Sequence, residues 1–164
     1  MIVIADTGPV NYLVLIQMAD LLPRFFGQVL IPPAVVAELR DPATPDPVRA
    51  WIANAPAWLQ VRALRSQPDP RLYYLDEGER EAIALAEELN ADQLLLDEMA
   101  ARKEAARRKL PFIGTLGILR RAGRLDLIDL PSALAQLQRT TFYIDPDLIR
   151  SLLDEDAHRR NPRV

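Results

Sequence analysis

Two carboxylates, Asp6 and Asp97, stand where this chain could put them to chemical use, and two more, Glu38 and Glu79, lie on predicted helices. Asp6 directly follows the apolar run 2–5, and Asp97 directly follows Leu94-Leu-Leu96. An acid ending a buried strand faces the edge at which α/β sheets form their ligand crevices. If the two strands are neighbours, the carboxylates converge. A like-charged pair at ~4 Å and an effective dielectric near 20 costs roughly 4 kcal/mol, so the crevice needs a cation or a proton. Mg²⁺ takes a few carboxylates together with waters and substrate phosphates. It can activate water and neutralise phosphoryl charge, which is what phosphodiester hydrolysis requires.

Each acid also has a structural reading. Asp6 and Asp97 could cap the helices that follow them. Glu38 lies in a helical pattern whose inward positions are Val35, Val36 and Leu39, which leaves it on the solvent face. Asp76-Glu-Gly-Glu79 is close to a capping box. Thr115 suits an N-cap, and its hydroxyl could instead meet a phosphate or a metal-bound water.

The rest of the composition narrows the chemistry. There is no cysteine and one histidine, His158, so thiolate metal sites, thiol nucleophiles and histidine triads fall away. Phosphate-cradling glycine loops are absent. A haloacid-dehalogenase-like phosphatase would want a second Asp at the Gly8 position, and a receiver domain a Lys where Gly114-Thr115 stand. The net charge of −3 hides a split: residues 99–125 carry eight basic residues and one acid, for +7, leaving −10 elsewhere. A basic quarter in an acidic protein fits an anionic partner held locally, or a solvated helix surface. No apolar run approaches the ~18 residues of a membrane span, and no secretory leader is legible, so a cytoplasmic protein is expected.

Short apolar runs at 2–5, 28–31, 94–96 and 111–113 predict buried strands, and 58–63 reads as a further strand. Helical patterns fall between and after them, near 10–20, 34–40, 48–54, 79–89, 99–109, 116–122, 131–139 and 147–156. Alternation of this kind predicts an α/β domain with a mostly parallel sheet. A single domain over 1–157 is expected, with 158–164 a disordered tail.

The motifs Ile4-Ala-Asp6-Thr-Gly-Pro9, Ile31-Pro-Pro-Ala-Val-Val-Ala-Glu38-Leu39, Leu75-Asp-Glu-Gly-Glu79 running on to Ala86, Leu94-Leu-Leu-Asp97 and Ile113-Gly-Thr-Leu-Gly117, in that order, resemble a PIN domain. The likeness is to a prokaryotic branch close to the VapC-type toxin nucleases. It implies a three-layer α/β/α fold with a five-stranded sheet in order 3-2-1-4-5. It also implies four acids holding Mg²⁺ or Mn²⁺ for RNA cleavage, which fall on Asp6, Glu38, Glu79 and Asp97. Thr7 and Thr115 match hydroxyl positions near such a site, and Glu98 stands where a supplementary acid often follows the fourth. Glu79 replaces the more frequent Asp, and Gly8 stands where Ser is common.

The expected protein is therefore a metal-dependent endoribonuclease, a toxin with a protein antitoxin and a homodimer by analogy. Arg102, Lys103, Arg107, Arg120 and Arg121 would hold single-stranded or loop RNA by its backbone. The alternative expectation is a PIN-like module that binds RNA or protein with little or no turnover.

Overall fold

The computed structural model describes residues 1–163. Five three- or two-residue strands form one parallel sheet in order β3-β2-β1-β4-β5: β1 Val3–Ala5, β2 Val29–Ile31, β3 Leu59–Val61, β4 Gln93–Leu95 and β5 Phe112–Ile113. The register sets Ile4 against Leu30 on one side and against Leu94 on the other. Every residue of β1 and β2 is buried, which a parallel sheet sandwiched between helices demands. On the β3 edge only Leu59 is buried. The predicted three-layer α/β/α fold and strand order are those observed.

The helices are α1 Thr7–Leu15, α2 Leu21–Phe26, α3 Pro33–Arg40, α4 Asp46–Ala53, α5 Glu77–Leu89, α6 Met99–Arg107, α7 Thr115–Arg124, α8 Leu130–Gln138 and α9 Pro146–Arg160. Proline opens α3 and α9, where its missing N–H costs nothing and its fixed φ suits the first turn. On α5, Ala82, Ile83, Leu85 and Ala86 are fully buried in one cluster with Ile4 and Leu94 of the sheet and Ala101 and Ala105 of α6. Truncating Ile83 to Ala there would cost about 2–5 kcal/mol.

Two elements differ from the sequence reading. The single helix expected over 10–20 ends at Leu15 as α1, with Gln17 just beyond it at a φ of +60°, and a further short helix, α2, begins only at Leu21. The apolar spacing continues through this break, so periodicity alone could not reveal it. The last helix extends to Arg160, beyond the expected end near 156, because Arg159 and Arg160 both pair with the buried carboxylate of Asp156. Val164, part of the tail expected to be disordered, lies outside the described residues. The chain divides into two compact units, Met1–Thr115 and Leu116–Val164; all four candidate acids belong to the first.

Candidate active site

The sheet reverses direction at β1: β2 and β3 extend to one side, β4 and β5 to the other. Such a switch point leaves a crevice at the carboxyl ends of the central strands. Asp6 leaves β1 there, its amide donating to the Leu95 carbonyl of β4 at 3.0 Å. Asp97 follows two residues after β4. Glu38 comes from α3 and Glu79 from the first turn of α5; these helices pack on each other, and the Ala34 amide of α3 donates to Glu81 Oε1 of α5 at 3.1 Å.

Asp6 is 5% exposed and occupies the N-cap position of α1, yet its side chain makes no capping bond. Its Oδ1 is buried with no hydrogen-bond partner. Burial drives its pKa well above the usual carboxylate range, the Thr7 backbone amide opposes this, and the charges of Asp76, Glu38 and Glu79 raise it further. A buried carboxylate facing three others, with one oxygen unsatisfied, is costly unless something neutralises it.

Glu38 is not on the solvent face. It is half-buried: Thr7 Oγ1 donates to its Oε2, and the Gly78 amide donates to its Oε1 at 3.0 Å. Burial is the main cause raising its pKa, with Thr7 opposing it and the charge of Asp76 adding to it. The capping box at α5 is present: the Glu79 amide donates to Asp76 Oδ1 at 2.8 Å, and the Asp76 amide to Glu79 Oε2 at 3.3 Å. Glu79 is nonetheless pushed up to about 7, first by burial and then by the charge of Asp76, with Glu98 contributing. The structural and the electrostatic readings of Glu79 thus hold together.

Asp97 accepts from Thr115 twice, from the amide at 2.7 Å and from Oγ1 at 2.8 Å. Thr115 is fully buried and opens α7. Burial raises the pKa of Asp97; the two Thr115 bonds and the charge of Arg102 hold it down. Glu98 is exposed at the N-cap position of α6 without a side-chain capping bond, and its charge acts on both Asp97 and Glu79.

Glycine makes room for these acids. A Cβ on Gly78 would stand 2.5 Å from Glu38 Oε1, one on Gly8 2.9 Å from Asp97 Oδ2, and one on Gly114 2.9 Å from Asp97 Oδ1. The Gly8 position, where the family often has Ser, is thus one where a larger side chain would press on the Asp97 carboxylate. Sequence reasoning missed Gly78 and the electrostatic role of Asp76. The signal was available: glycine near the start of an otherwise strong helix lowers helix propensity and needs a reason.

The cationic residues differ among themselves. The Arg102 guanidinium lies 5.3 Å from the Phe112 ring centroid and acts on Asp97, while Lys103 is exposed. Arg107 pairs with buried Glu104 at 2.5 Å. In the second unit, Glu155 accepts from both Arg120 and Arg124, and Arg121 is exposed. Arg107 and Arg120 therefore already hold carboxylates.

The donor set is all hard oxygen, and buried, unpaired Asp6 Oδ1 is the kind of atom a divalent ion satisfies. Among the described residues no three acidic or imidazole side chains are already gathered into a cage for an ion. Mg²⁺ requires only one or two protein carboxylates beside its waters and substrate phosphates.

The protein is a three-layer α/β fold whose parallel sheet switches at β1, with Glu38, Glu79 and Asp76 within electrostatic reach of Asp6 beside that point. The PIN-domain family model matches residues 2–157, and the chain belongs to the PIN-domain family, whose fold is of the nuclease type. A PilT N-terminus domain protein from the hyperthermophilic archaeon Sulfolobus solfataricus has a similar fold, with a TM-score of 0.50 and 17% identity over 88% of this chain and 100% of that one. No curated protein matches the chain. No helix among the described residues is long and apolar enough to cross a membrane.

Proposed function

We propose that this protein is a divalent-metal-dependent endoribonuclease working at the crevice of Asp6, Glu38, Glu79 and Asp97. The observation that carries the reading is Asp6: nearly buried, unpaired at Oδ1, and facing the charges of Glu38, Glu79 and Asp76 at a switch point. Stability alone gives no reason to concentrate negative charge there, whereas binding Mg²⁺ or Mn²⁺ does. The bound ion would supply water activation and charge neutralisation at the scissile phosphate.

The residues of the chain do the positioning. Asp6 and Asp97 are the principal ligands in this reading, with Glu38 and Glu79 completing the site directly or through water. Thr7 and Gly78 fix the Glu38 carboxylate, and Thr115 fixes that of Asp97, so each is oriented before the ion arrives. Glu98, exposed beside two of the acids, adds negative charge at the rim. Arg102 and Lys103 of α6 would hold the RNA backbone nearest Asp97, with Arg107 contributing on exchange of its present carboxylate partner.

The toxin role, the antitoxin and self-pairing rest on the VapC-like resemblance. A binding module without turnover is the competing reading. The discriminating measurement is cleavage of a fluorophore-quencher single-stranded RNA. Cleavage is expected with Mn²⁺ or Mg²⁺ and should cease in EDTA. Intact substrate under all three conditions would leave only the binding reading.

Gly78→Ala separates site geometry from folding. The clash falls on the terminal carboxylate of Glu38, which can swing aside on its own side chain by giving up its present bonds, and alanine is the better helix former by about 0.5–1 kcal/mol. The melting temperature should hold or rise slightly. Cleavage should fall about 10–100-fold, because a displacement near 1 Å at a reacting centre costs about that much. Unchanged cleavage would show that the position of Glu38 does not matter.

A further inference from the structure

Between Pro70 and Asp76 the chain buries and exposes its large side chains in a fixed order. Leu72, ending the 3₁₀ turn Pro70–Leu72, is fully buried and Leu75 is 4% exposed, while Tyr73 and Tyr74 between them are 51% and 60% exposed. The two leucines anchor the segment in the core cluster beneath α5. That anchoring turns two adjacent aromatic rings outward and holds them there. The turn itself is braced by Asp69, whose side chain accepts from the Arg71 amide at 2.9 Å.

Arg80 completes the group. Its guanidinium stands 4.2 Å from the centroid of the Tyr73 ring and donates to the Leu75 carbonyl at 3.1 Å, while its Nε is buried with no hydrogen-bond partner. One face of Tyr73 is therefore covered by a cation, and half of the side chain remains open. The segment runs directly into the acidic crevice: Asp76 follows Tyr73 by three residues, a chain reach of at most about 10 Å. Arg80 is the neighbour of Glu79 on α5.

We propose that Tyr73 and Tyr74, backed by Arg80, form a platform on which unpaired bases of the RNA strand stack as its backbone enters the crevice. This rests on the ribonuclease reading and names the form of substrate that reading requires. Charge favours this occupant. The crevice is a concentration of carboxylates, which a phosphate chain alone would avoid, and uncharged base faces give the strand a foothold beside it. Stacking on tyrosine and guanidinium planes is sequence-tolerant because every base has a π-face. A duplex, whose bases already stack on each other, cannot use such a platform.

The test measures binding without turnover, in EDTA, by fluorescence anisotropy with a labelled oligoadenylate and an abasic strand of equal length. The wild-type protein should prefer the oligoadenylate. Tyr73→Ala with Tyr74→Ala should weaken its binding about tenfold or more and abolish that preference. The paired Phe variants should retain it. Tyr143→Ala, which removes an 81% exposed tyrosine elsewhere, should bind as wild type. Oligoadenylate binding unaltered in the double alanine variant would overturn the platform, as would a wild-type protein indifferent to the bases or a loss equally severe with phenylalanine. Base-dependent binding by a protein that never cleaves with Mn²⁺ would leave the platform standing and remove the nuclease reading.

Discussion

Asp6→Asn should abolish metal-dependent cleavage while making the metal-free protein more stable. The activity loss should reach at least about 100-fold, since disturbing even the residues that merely orient metal ligands typically costs 10–100-fold. The gain in stability has a separate cause. The Asp6 carboxylate is buried, lacks a partner at Oδ1 and faces three further acids, so its charge opposes folding when no ion is bound. Asparagine removes that charge at constant shape. A gain of 1–2 kcal/mol would raise the melting temperature by about 2–8 °C in a chain of this size.

Asp97→Asn should lose activity to a similar extent and move stability the other way. Asp97 accepts two bonds from Thr115, one on each oxygen; asparagine keeps one acceptor oxygen, but its NH₂ can only donate, so one Thr115 donor loses its acceptor. A loss of about 1–3 kcal/mol is expected from the buried donor left unmatched. Thermal melts in EDTA beside cleavage rates in Mn²⁺ check both variants. Should Asp6→Asn melt below wild type in EDTA, the crowding of charge at that residue would not be what the crevice is built around.

The second large effect is an inverted dependence of stability on pH. Asp6, Glu38, Glu79 and Asp97 all have raised pKa values, with burial as the leading cause in each. Each therefore binds its proton more tightly folded than unfolded. Between the unfolded and folded pKa the native state holds more protons, and stability falls as pH rises. For Glu79 that window runs from 4.5 to about 7. Its full shift corresponds to about 3 kcal/mol, which partial solvent screening reduces to about 2.

The metal-free protein should consequently be more stable at pH 5 than at pH 8, by at least several degrees in melting temperature. Mn²⁺ should flatten the profile by stabilising the ionised crevice at the alkaline end. The exposed acids with lowered pKa values, Asp69, Asp129 and Glu155, contribute in the opposite sense, but only below the ordinary carboxylate range and outside this window. Melting temperatures across pH 5–8 with EDTA and with Mn²⁺ decide the point. A metal-free profile that rises toward pH 8 would contradict it.

Much of the framework was legible from residue order alone. β1 and β2 announced themselves as apolar runs, because a strand covered on both faces has no polar alternation, whereas β3 carries Gln60 on an edge where only Leu59 is buried. Asp6 and Asp97 were conspicuous because each follows such a run without a gap. The capping box at Asp76 and Glu79 is a local pattern, and local patterns survive in the sequence. The strand order came from the likeness of the motifs to the PIN family, since pairing between strands far apart in the chain leaves no periodic trace.

What the tertiary structure decided lies in contacts across long separations. Periodicity put Glu38 on a solvent face, yet Thr7 and Gly78, 31 and 40 residues away, hold its carboxylate within electrostatic reach of Asp6. Gly8 looked like a missing hydroxyl until the approach of Asp97 gave the position a steric reason. The outward turn of Tyr73 and Tyr74 depends on where the Leu72 and Leu75 anchors find their core. Helical and strand periods record only which face of an element is covered. Which residue covers it depends on how the elements pack, and that packing emerges only when the whole chain folds.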